Sequence, residues 1–200
     1  MSKEFDYLSY LSHYVSESVA LVKKLEFDDE FKASISACAA VCVQAFQNGR
    51  KVILMGNGGS AADCQHIAGE FVSRFLFDRP GLPAVALTTD TSVLTAIGND
   101  YGYNKLFSRQ ISAIGVSGDV LIGYSTSGNS ANIVGGFIEG AKMGLTCIGF
   151  TGARNGAINN LCDLLIKVPS ESTPQIQEGH LIAGHALCAV IEERLFADKR

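Results

Sequence analysis

Val52-Ile53-Leu54-Met55-Gly56-Asn57-Gly58-Gly59-Ser60 sets four large apolar residues against a turn of glycines, and a helical pattern begins near Ala61. A short apolar run bounded by glycine reads as a strand buried on both faces. Four more runs share the form: Ala84–Leu87, Val120–Tyr124, Cys147–Phe150 and Leu164–Val168. Helix-length stretches separate them, so the pattern is one of repeated βα units. The expectation is a doubly wound α/β domain around a parallel five-stranded sheet, with right-handed crossovers placing helices on both faces. Ligands then collect beyond the carboxyl ends of the strands.

Upstream the rhythm is helical. Leu8, Leu11, Val15, Val19 and Val22, then Phe31, Ile35, Cys38, Val41 and Ala45, recur at helical spacing. Two helices broken near Phe27-Asp28-Asp29 are expected, the second ending at Asn48-Gly49. At 200 residues the chain reads as a single domain, with residues 1–50 as an N-terminal helical arm and 51–200 as the α/β core.

Composition excludes several functions. The net charge of −4 comes with scattered lysines and arginines, the opposite of the basic patches that nucleic acid requires. No run approaches the roughly 18 uninterrupted apolar residues of a membrane helix. Met1 to Asp6 carries acidic residues where a secretory signal has a basic end and then an apolar one. Cytoplasmic location is expected. Six cysteines lie among apolar neighbours with no Cys-x-x-Cys pair, which suits reduced, buried thiols.

Two loops stand out. Gly56-Asn57-Gly58-Gly59-Ser60 allows close backbone approach, with Ser60 placed to cap the next helix and leave its N–H groups facing an anion. It is neither the dinucleotide fingerprint nor the P-loop, and a tight strand–helix turn explains it as well. Ser125-Thr126-Ser127-Gly128-Asn129-Ser130 repeats the design with four hydroxyls. A capped turn needs one. Four hydroxyls and a helix start make a phosphate cradle without a lysine.

His66 and Glu70 are four apart on the helix after the first loop and so share a face, while Ile67, Phe71 and Phe75 mark its buried stripe. Imidazole and carboxylate are zinc ligands, and a surface hydrogen bond is the plainer reading of such a pair. The last helix, from Pro174 to about Phe196, carries Gln177, His180 and His185. Spacing does not choose between the two histidines. Gln177 and His185 lie about 12 Å apart along the axis, so they meet at one ion only by leaning together.

These loops resemble the sugar isomerase (SIS) domain. With Gln65-His66-Ile67-Ala68-Gly69-Glu70-Phe71, Gly98-Asn99-Asp100-Tyr101-Gly102 and Ile176-Gln177-Glu178-Gly179-His180, the chain is similar over nearly its whole length to the phosphoheptose isomerase family. The resemblance implies conversion of sedoheptulose 7-phosphate to D-glycero-D-manno-heptose 7-phosphate by enediol-type proton transfer, the first step towards the heptose of lipopolysaccharide. It implies one Zn(2+) per subunit, held by His66, Glu70, Gln177 and His185, with no such role for His180. Sugar-phosphate contacts are implied at Asn57, Gly58, Gly59, Ser60, Glu70, Asn99, Asp100, Ser125, Thr126, Ser127, Ser130 and Gln177. Glu70 and His185 become the acid–base pair, and Asp100 assists ring opening or holds sugar hydroxyls. Arg74 contacts substrate, orients Glu70 or forms a surface ion pair. The family's homotetramers, with active sites between subunits, imply the same assembly here. Pro174 departs from the family pattern, where some members carry an acidic residue, and gets no role. The rival reading is a non-catalytic SIS protein that binds the replication initiator. Relatives of that kind lack acid–base groups at the positions of Glu70 and His185, and both are intact here.

Overall fold

All five expected strands form, and each starts and ends within a residue or two of its apolar run. In the computed structural model, which describes residues 5–199, they are β1 (Val52–Gly56), β2 (Ala84–Ala86), β3 (Val120–Tyr124), β4 (Thr146–Thr151) and β5 (Leu164–Lys167). Residues 1–4 of the Met1–Asp6 stretch lie outside the described residues. Every neighbouring pair is parallel and the order is β2-β1-β3-β4-β5. The winding reverses between β1 and β3, whose paired residues run from Val52 opposite Val120 to Gly56 opposite Tyr124. The glycine turn and the hydroxyl loop therefore leave adjacent strands at one level. Such a crevice is where doubly wound sheets bind ligands.

The strands alternate in what they feed. Val52, Leu54, Val120, Ile122, Tyr124, Ile148, Phe150 and Ile166 join a core with α2 (Asp29–Gln47), α3 (Gly59–Val72) and α7 (Thr173–Phe196). Ile53, Met55, Leu121 and Cys147 face the other layer, formed by α4 (Thr91–Asp100), α5 (Leu106–Ile114) and α6 (Ala131–Lys142). Two apolar layers on one sheet explain why its strands read as unbroken apolar runs.

The first helix, α1 (Tyr7–Glu26), is capped by Asp6, and α2 by Asp28, whose carboxylate accepts from the Phe31 N–H at 2.9 Å. The break between them is thus an N-cap. The two helices play different parts. Phe31, Ile35, Cys38, Cys42 and Val43 of α2 are buried in the main core, so α2 is a full layer of the domain. On α1 only Leu21 and Leu25 are buried.

Two boundaries differ from the sequence reading. The N-cap of α3 is Gly58 rather than Ser60, which sits buried in the first turn. α3 also stops at Val72, so Phe75 lies beyond it and the apolar stripe ends at Phe71.

The thiols behave as apolar groups. All six cysteines are free, and burial pushes Cys38, Cys147 and Cys188 up to about 12, far from a reactive thiolate.

His180 is fully buried, edge-on to Tyr124 and Phe150, with its Nε2 3.3 Å from the Thr151 carbonyl and its Nδ1 unpartnered. Burial lowers it to about 4, only partly opposed by the Thr151 hydrogen bond. The folded protein thus holds His180 neutral while the unfolded chain protonates near 6.5. Its contribution is complete above pH 6.5 and is lost as the pH falls towards 4, up to about 3 kcal/mol. His180→Phe is expected to lose less stability than wild type between pH 7 and pH 4.5, read from urea unfolding midpoints. Parallel losses would assign the acid sensitivity elsewhere.

Candidate active site

Three side chains from two helices converge on one point. His66 and Glu70 stand one turn apart on α3, with the His66 Nε2 3.5 Å from a Glu70 oxygen. His185 reaches across from α7, its Nε2 2.7 Å from the Nε2 of His66. All three ligand-type atoms lie within 4.8 Å of one another. What permits this is local: a Cβ at Gly184 would come within 2.7 Å of the Ile67 side chain. Gly184 thus seats against the Ile67 side chain, which would have to shift for any larger residue beside His185. Two imidazole nitrogens and a carboxylate oxygen form a donor set that suits zinc.

Gln177, two turns earlier on α7, lies over the glycine turn, where a Cβ on Gly59 would meet its amide nitrogen at 2.6 Å. Gly58 caps α3 and, being glycine, offers no side-chain acceptor to the first-turn N–H groups.

The hydroxyl loop does not spend its hydroxyls on capping. Ser130 is the N-cap residue of α6 yet makes no side-chain cap bond. Its Oγ is 3.3 Å from that of Ser125, while the Ser127 Oγ accepts from the Asn129 N–H at 3.2 Å. Thr126 is half-buried and Ser127 exposed. A cavity of about 250 Å³ opens here, lined by Thr126, Ser127, Asn129, Arg154 and Ile176. Another of about 340 Å³ lies beside Asn57 and Gly58, with Tyr103 in its wall. His66, Glu70 and His185 line neither. They stand at the open surface, the His66 side chain 47% exposed.

The SIS domain model matches residues 13–152. A phosphoheptose isomerase of Burkholderia pseudomallei (strain 1710b) is 58% identical over 94% of this chain and 96% of its own. One from Aneurinibacillus thermoaerophilus is 53% identical over 95% and 96%. The chain belongs to the phosphoheptose isomerases of the SIS domain family. A solved phosphoheptose isomerase from Neisseria gonorrhoeae superposes with a TM-score of 0.86 at 39% identity, covering 94% of this chain and all of that one. One from Francisella tularensis gives 0.89 at 34% identity.

Of the residues implied by likeness to the phosphoheptose isomerases, His66, Glu70 and His185 come together at one point and Gln177 meets the glycine turn. Asn99 and Asp100 sit exposed at the end of α4, and the Asn99 amide donates to the Asp100 carboxylate at 2.8 Å. No bond joins either to Glu70 or His185 among the described residues. Arg74 is exposed and forms no ion pair with Glu70. Asn57 is already engaged. Its amide pairs reciprocally with that of Asn132 at 2.9 and 2.8 Å, and its oxygen also accepts from the Tyr103 hydroxyl at 2.8 Å.

Sequence reading passed over Asn132 and Asp63. Asn132 is 2% exposed in the first turn of α6; its amide ties the hydroxyl loop to the glycine turn. An asparagine two residues after Ser130 was the available signal. Asp63, one turn before His66, has a buried, unpartnered oxygen; burial raises its carboxyl above the usual range, opposed by nearby His66. Asn57→Ala and Asn132→Ala are each expected to cost about 1–3 kcal/mol, because each leaves the partner amide's N–H₂ group without its acceptor. In the double variant the losses should fail to add, with a coupling of roughly 0.5–3 kcal/mol in chemical denaturation. Simple additivity would show the loops to be independent.

Proposed function

We propose that the chain isomerises sedoheptulose 7-phosphate to D-glycero-D-manno-heptose 7-phosphate, in the cytoplasm, as the first step towards lipopolysaccharide heptose. The observation that carries the reading is the convergence of His185 with Glu70 of α3, the helix that starts at the glycine turn. The serine and threonine hydroxyls, with N–H groups in the first turns of α3 and α6, hold the phosphate, and Arg154 stands in the wall of the hydroxyl-loop cavity.

Ketose-to-aldose conversion removes a proton from C1, passes through an enediol and returns a proton to C2. The Glu70 carboxylate takes the C1 proton and delivers it to C2. His185 moves the proton between the two oxygens, off O1 as its carbonyl forms and onto O2 as its carbonyl is lost. Asp100 and Asn99 reach the sugar hydroxyls from the end of α4. His66, Glu70, Gln177 and His185 would hold zinc, one ion per subunit, and the chemistry it would supply is polarisation of the substrate oxygens. The donor atoms of His66, Glu70 and His185 suit that ion, and all three belong to one chain.

The active unit is a homotetramer. α1 supports this, since Leu8, Leu11, Val15, Val19 and Val22 are 48–78% exposed along it, an apolar stripe of the kind that marks an interface. The open setting of His66 suits a site completed by a neighbouring subunit. No helix among the described residues is long and apolar enough to cross a membrane.

Purified protein is expected to form the aldose phosphate, to lose activity with a chelator and to regain it with zinc. Glu70→Gln and His185→Ala should lower kcat by about 10²–10⁴-fold; turnover within a few-fold of wild type in both removes the acid–base assignment. Leu11→Glu with Val15→Glu should shift the mass measured by light scattering from tetramer to smaller species, and an unchanged mass would place the interface elsewhere.

A further inference from the structure

α3 ends at Val72, and the carbonyls of its last turn need partners. Arg79, on the loop that follows, supplies them. Its guanidinium donates to the Glu70 carbonyl at 2.7 Å, to Phe71 at 2.6 Å, and to Ser73 and Pro80 at 3.3 and 3.1 Å. From the opposite side Glu192 of α7 accepts from the Arg79 Nε at 3.0 Å and from the backbone N–H groups of Phe75 and Leu76 at 2.9 and 2.7 Å. The two side chains are 2% and 1% exposed.

A buried ion pair is poor support for stability, because apolar side chains of the same volume do as well or better. What this pair provides is one backbone arrangement. It lashes the end of α3 and the start of its loop to α7, two turns past His185. Both ends of the clamp touch the active edge: Arg79 holds the main chain of Glu70, and Glu192 holds the main chain of Phe75. The Phe75 ring in turn packs on His185, with centroids 5.4 Å apart and planes at 35°.

We propose that Arg79 and Glu192, with Phe75, are positioning residues for the isomerisation, fixing Glu70 and His185 relative to one another from the two helices that carry them. The proposal rests on the acid–base reading above. It makes the clamp matter to turnover more than to substrate binding, since neither phosphate loop touches it.

The test compares wild type, Glu192→Gln, Phe75→Leu and Phe75→Tyr. Measured quantities are kcat and KM for sedoheptulose 7-phosphate per folded chain, and zinc affinity by competition with a chromophoric chelator. Glu192→Gln keeps the volume but turns an amide N–H towards donors. It should lower kcat at least tenfold, keep KM within threefold and weaken zinc at least fivefold. Phe75→Leu, which disturbs no buried charge and decides alone should Glu192→Gln not fold, should lower kcat at least fivefold. Phe75→Tyr, which keeps the ring, should return to within twofold of wild type. Values of kcat and zinc affinity within twofold of wild type in both Glu192→Gln and Phe75→Leu overturn the proposal. A wild type that does not isomerise defeats the acid–base reading instead.

Discussion

The approach of α7 to α3 is the contact on which the site depends. Gly184 seats against Ile67, and that missing side chain brings His185 to within 2.7 Å of His66. A Cβ at 184 would displace the Ile67 side chain, which packs between the two helices that carry His185 and Glu70. Around this contact the core is dense, with Ile67, Ala183, Leu187 and Cys188 all buried. A close-packed interior transmits such a displacement instead of absorbing it.

The second constraint is the reversal of winding between β1 and β3. Two adjacent parallel strands end level with each other, and each opens into a loop and a helix. The Asn57–Asn132 amide pair then fixes one loop to the other. A phosphorylated sugar needs its anion anchored and its reactive carbons held near acid–base groups. In the proposed reaction the sheet edge supplies the anchor and the α3–α7 contact the chemistry, with α3 belonging to both: its first turn carries Gly59 and Ser60, its last carries Glu70.

What was legible in the sequence follows the range of the interactions involved. Strands buried on both faces show as apolar runs, so all five were readable, and Asp28 marked the start of α2. The shared face of His66 and Glu70 needed only helical periodicity. Convergence with His185 did not follow from spacing, which left His180 equally open; burial separates them, His180 inside the core and His185 at the edge. Ser60 was read as a cap because serine commonly is one, yet Gly58 takes the place. Asn57 looked free for a ligand until its partner, 75 residues away, was in view. The Arg79–Glu192 clamp spans 113 residues and has no local signature. It also explains why the apolar stripe through Phe75 misled: the residue is apolar for packing on His185, beyond the helix end.

Zinc binding by single-site variants tests the convergence most directly, without relying on turnover. Wild type should bind one equivalent per chain, and His66→Ala on α3 and His185→Ala on α7 should each weaken it at least a hundredfold. Zinc held at wild-type affinity and stoichiometry by either variant would contradict a single site shared by the two helices.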